Sequence, residues 1–107
     1  MRIGIVGGAE CVENEYRRLV KNRGHEIDFH SGHMTSGGAR SLETLINRCD
    51  LLVIVTDVNS HAAVAKARRL ARSVGRSPVF ARRFGVRALS VILEEAERAP
   101  SAVAIAH

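Results

Sequence analysis

Tryptophan is absent, and the chain of 107 residues holds one tyrosine and three phenylalanines. Any pocket is therefore expected to be walled mainly by aliphatic side chains, and the scarcity of rings counts against a surface that stacks bases. Two cysteines, Cys11 and Cys49, are too few for a disulfide framework and fit a reducing cytoplasm. Long apolar runs are missing as well. The stretches 3–6 and 51–55 fall far short of the ~20 residues that cross a bilayer, and Arg2 precedes a core strand rather than a secretory apolar region. Acid is missing from one long segment: residues 58–93 contain eight basic side chains and no Asp or Glu. With a net charge of +5 and a pI near 10.2, that asymmetry predicts a positive face suited to phosphates, carboxylates or an acidic partner. The alternative is that Lys66, Arg68, Arg69, Arg72 and Arg76 are simply the solvated side of one helix.

Hydrophobic residues make up 46% of the chain, which excludes a disordered polypeptide. The length suits one domain, expected over 1–100, followed by an apolar tail over 101–107. Residues 2–6 read as a short buried strand ending in Gly7 and Gly8. Val12, Tyr16, Leu19 and Val20 recur with helical spacing over 10–23, and Gly24 suits the left-handed position past a helix end. Residues 26–30 alternate as a strand does. The loop over 31–38 is rich in Gly, Ser and Thr. Leu42, Leu45, Ile46 and Cys49 mark a second helix, and the unbroken apolar run 51–55 suits the centre of a parallel sheet. Ser60 is a good N-cap for a third helix that turns Val64, Ala67, Leu70, Ala71 and Val74 inward, and Gly75 closes it. Residues 77–81 form a fourth strand, with Pro78 near its start. A fourth helix over 86–98 faces inward through Leu89, Ile92, Leu93 and Ala96.

Four βα units predict an α/β fold: a four-stranded parallel sheet of flavodoxin/Rossmann-like order 2-1-3-4, with helices on both faces. Ligands of such sheets bind outside the carboxyl ends of the strands. That edge should gather Gly7, Gly8, His30, His33, Asp57, Ser60, His61, Arg82 and Arg83. The dinucleotide and P-loop fingerprints are both absent, although a Gly pair before a helix can still offer N–H groups to an anion. His30 and His33 are three apart in a turn and could face one metal, with His61 as a third ligand. Asp57, Ser60 and His61 are triad residue types without a nucleophile elbow, so hydrolysis is discounted.

From Gly7 to about Leu89 the chain resembles the domain-of-unknown-function 2325 family of small bacterial proteins. The resemblance rests on Thr56, Asp57, Ser60, His61 and Ala63, followed by Lys66 and then by Val79, Phe80, Ala81 and Arg82. The family also shows His-Asp-Gly-Gly after its second strand, where this chain has His30, Ser31, Gly32 and His33. Cysteines often found beside the Asp and within the third helix are Val58 and Ala71 here, so ligation through those cysteines is not open to this chain. The resemblance implies the fold and the place of the site more than an activity.

Two functions follow as expectations. One is a non-catalytic sensor or carrier holding haem or a transition metal ion (iron or zinc) through His30, His33 or His61, with Lys66, Arg82 and Arg83 meeting haem propionates. The other is a binder of a phosphate-containing ligand or nucleotide, cradled by Gly7, Gly8, Ser60, Lys66, Arg82 and Arg83. A basic interaction module is the third possibility. Nucleic acid and membrane are not expected partners. A homodimer is, because the tail is uncharged and a small subunit gains core by association.

Overall fold

The computed structural model describes residues 1–8, 13–32, 37–56, 61–82 and 85–98. Eight elements alternate along them: β1 (Arg2–Val6), α1 (Glu13–Asn22), β2 (Glu26–His30), α2 (Gly38–Arg48), β3 (Leu51–Val55), α3 (His61–Ser73), β4 (Val79–Ala81) and α4 (Val86–Arg98). The sheet is parallel throughout in the order β2-β1-β3-β4. Val6 pairs with His30 on one side and with Ile54 on the other, so β1 and β2 end together at the carboxyl edge and β3 runs one residue further.

Strand alternation divides the core in two. Ile3, Ile5, Leu51, Val53 and Val55 face Tyr16 and Val20 of α1 and Leu89, Leu93 and Ala96 of α4. Val6, Leu52 and Ile54 face Leu42, Leu45 and Ile46 of α2 and Ala67 and Ala71 of α3. All five residues of β3 are buried, as its unbroken apolarity predicts. Gly4 lets α2 lie close on the sheet: a Cβ there would stand 2.6 Å from Leu45 Cδ2 and 3.0 Å from Cys49 Cβ. The spacing of the third helix predicts Val74 inward, but it is 44% exposed, because the helix ends at Ser73 and the turn at Gly75 (φ 73°) swings the chain away. Ala63 takes part in the core instead.

The ion pairs made by helix residues cluster on one face of the sheet. Arg17–Glu13, Arg23–Glu97, His25–Glu97 and Arg98–Glu94 link α1, α4 and the turn into β2, while Arg2 bridges Glu26 and Asp28 on β2. Among the described residues, no basic side chain of α2 or α3 has an acidic partner. Cys11, the tail 101–107 and the N-cap expected at Ser60 lie outside the described residues. Among those described, no helix is long and apolar enough to cross a membrane.

Candidate functional site: the carboxyl edge and the β2 cleft

The chain leaves β1 through two glycines in the left-handed region, Gly7 (φ 94°) and Gly8 (φ 96°). Dihedral freedom rather than space requires glycine at position 8, since a Cβ there would meet only Tyr16 Oη at 3.9 Å and Val55 Cγ2 at 4.0 Å. Gly7 N–H donates to the His30 carbonyl at 2.7 Å, which ties this turn to the end of β2.

His30 is buried, with 7% of its surface exposed. Gly32 N–H donates to its Nδ1 at 3.0 Å, and Nε2 lies 2.8 Å from the Gly38 carbonyl oxygen. A carbonyl only accepts, so Nε2 carries the proton and the ring is the neutral Nε2–H tautomer. Both nitrogens are thus spent on backbone, and the imidazole clamps the start of α2 to the end of β2. A metal at His30 would have to displace one of these bonds. Among the described residues, no three His, Cys, Asp or Glu side chains gather as a metal site would need.

The other sequence-expected residues that are described lie on α3 and past β4. His61 is the exposed first residue of α3, at the same edge as His30 but with β1 between their strands, about 10 Å of sheet. Lys66 is half-buried five residues further along α3, about 7.5 Å down its axis. Arg82 is exposed just past β4. His33, Asp57, Ser60 and Arg83 lie outside the described residues. Cys49 is buried, its Sγ–H directed at the Ile46 carbonyl, and burial pushes its thiol up to about 11. It is a packing residue without a reactive thiolate at neutral pH.

Beside His30 the structure opens a cleft of about 410 Å³ along the outer edge of β2, under α2. Its charges do not cancel. Asp28 is held by Arg2 Nη1 at 3.3 Å, and Arg17 by Glu13 at 2.6 Å. The Ser41 and Thr44 hydroxyls donate back to the carbonyls of Gly37 and Arg40. That leaves Arg40 and Arg48, both exposed and without an acidic partner among the described residues. At the top of the cleft α2 begins on Gly37 (φ 84°), which gives no side-chain cap. The first N–H groups of a helix lack intrahelical partners, and its dipole is positive there. The sequence reading missed Arg40 and Arg48. Their signal is faint: Arg40, Thr44 and Arg48 share one stripe of a helix that follows a Gly-rich loop.

The fold defines a class: a small open parallel α/β protein with a cleft beside its first edge strand. Over residues 2–96 the chain matches the family described as "Uncharacterized protein conserved in bacteria (DUF2325)", and it belongs to that family. It is 32% identical over 87 residues to a UPF0751 protein of Desulfitobacterium hafniense strain DSM 10664 / DCB-2, covering 80% of this chain and 85% of that one. The same figures hold for a UPF0751 protein of strain Y51. Another from strain Y51 is 26% identical over 95 residues, covering 89% of this chain and 93% of its own length. No solved structure matches the chain significantly.

Proposed function

We propose that this protein is a non-catalytic binding module that takes a small phosphate-bearing ligand in the cleft between α2 and the edge of β2. The observation that carries the reading is the pair Arg40 and Arg48, uncompensated on a cleft whose one acid, Asp28, is already neutralised. Guanidinium groups recognise phosphate through paired N–H donors, and the uncapped start of α2 adds donors of the same sense. Gly7 and Gly8 hold the neighbouring turn in place through the Gly7–His30 bond. Among the described residues lining the cleft, no side chains pair a nucleophile with a base, which is why binding rather than catalysis is proposed. The setting proposed is cytoplasmic, and the unit a homodimer.

The reading in which His30, His33 and His61 hold haem, iron or zinc draws on the same edge. It asks His30 to release Gly32 or Gly38, and so stands second. One pair of measurements separates the two: thermal stability with and without inorganic pyrophosphate, and an absorption spectrum with metal analysis on the same sample. Pyrophosphate should raise the melting temperature of the wild type and leave Arg40→Gln/Arg48→Gln unmoved. A Soret band or stoichiometric metal lost in His30→Ala, with no response to pyrophosphate, would reject the phosphate reading for the histidine one.

A further inference from the structure

At the opposite edge of the sheet, on the same face as α2, a second basic surface has no part in that reading. Arg68 and Arg72 stand one turn apart on α3, about 6 Å along its axis. The turn after the helix, closed by Arg76 N–H donating to the Ala71 carbonyl at 2.8 Å, brings Arg76 to the same groove. Its remaining walls are Ser77, Pro78 and Phe80, and its volume is about 310 Å³. Phe80 is 42% exposed, among the few large apolar side chains at the described surface, and the Arg68 guanidinium lies over its ring at 4.9 Å. None of the three arginines has an acidic partner among the described residues, and the surrounding segment 58–93 contains no acid at all.

We infer that this groove docks an extended acidic segment of a partner protein. Charge complementarity sets the sign of the partner. Exposed guanidinium groups without counter-ions steer an anionic chain to this face and pair with it on arrival. The shape sets its form: alternate residues of an extended chain repeat every ~6.7 Å, close to the step from Arg68 to Arg72, so carboxylates at every second position meet successive arginines. The floor sets the rest. Phe80 offers exposed apolar surface that an aliphatic side chain of a peptide covers and a phosphate backbone does not. Phe80, the one ring in the groove, already lies under Arg68, which leaves poor footing for stacked bases.

The probe is a fluorescein-labelled peptide with glutamate at alternating positions and valine between, titrated by polarisation with the full chain at low salt. Its all-glutamine analogue and a labelled oligothymidylate of equal charge are run beside it. The acidic peptide should bind, the glutamine analogue should not, and added salt should weaken binding. Arg72→Gln/Arg76→Gln should weaken it about tenfold, and Phe80→Ala should weaken it too. Arg98→Gln on α4 and Arg40→Gln/Arg48→Gln in the first cleft should leave it unchanged, so that this surface and the phosphate cleft stand or fall separately. These side chains lie at the surface, and circular dichroism checks that each variant is folded. No binding of the acidic peptide, binding indifferent to Arg72→Gln/Arg76→Gln, or tighter binding of the oligothymidylate would each overturn the inference.

Discussion

His30 exchanges hydrogen bonds with Gly32 and Gly38, on either side of residues 33–36, and its carbonyl receives Gly7 N–H. One side chain therefore joins the ends of β1 and β2 to the start of α2. Removing the ring deletes its bonds to Gly32 and Gly38, and each such hydrogen bond contributes about 0.5–1.5 kcal/mol. His30→Ala should lower stability by about 2 kcal/mol in urea denaturation and should loosen the top of the phosphate cleft. Stability equal to wild type would mean that the ring is not the clamp described. The sequence marks His30 as special by its place after a strand. It does not tell a ligand from a clamp, because that depends on a carbonyl eight residues away being within reach.

Among the elements, those with an unambiguous pattern were legible. β3 is apolar throughout and lies buried at the sheet's centre, and the order β2-β1-β3-β4 followed from four βα repeats. Val74 was not, since helical periodicity runs on past the residue where Gly75 turns the chain. Nor was the β2 cleft. Arg40 and Arg48 look like any solvated helix face until α2 is laid against the edge of β2, where tertiary placement leaves them unpaired. The opposite face shows what pairing does. Glu97 of α4 receives Arg23 from the end of α1 and His25 Nε2 at 2.8 Å from the turn before β2, and those hydrogen bonds hold its carboxyl below the ordinary 4.5. A carboxylate with a lowered folded value stabilises the fold above the unfolded value, and that contribution fades as pH falls through the folded one. Glu97→Gln should therefore melt lower than wild type at pH 7, and the gap should narrow as pH falls through the lowered carboxyl range. A gap that does not narrow as the solution is acidified would show that the contact does not act through this charge.

At the scale of the whole molecule, the sheet separates two kinds of surface. The α1 and α4 side carries paired charges, whereas the α2 and α3 side carries arginines without acidic partners among the described residues. A net charge of +5 is thus unevenly spent, and the acid-free segment 58–93 is its trace in the sequence. Both clefts on the unpaired side lie at sheet edges, where no further described strand competes for the surface. The central claim is that the cleft beside β2 takes a phosphate-bearing anion. It is tested most directly by following the amide resonances of the isotopically labelled protein during titration with inorganic pyrophosphate. The account predicts saturable shifts at Gly38, Arg40 and Ser41 and at Arg48, with His61 and Lys66 unmoved and the response lost in Arg40→Gln/Arg48→Gln. Shifts centred on His61 and Lys66 instead, or none up to millimolar pyrophosphate, would contradict it.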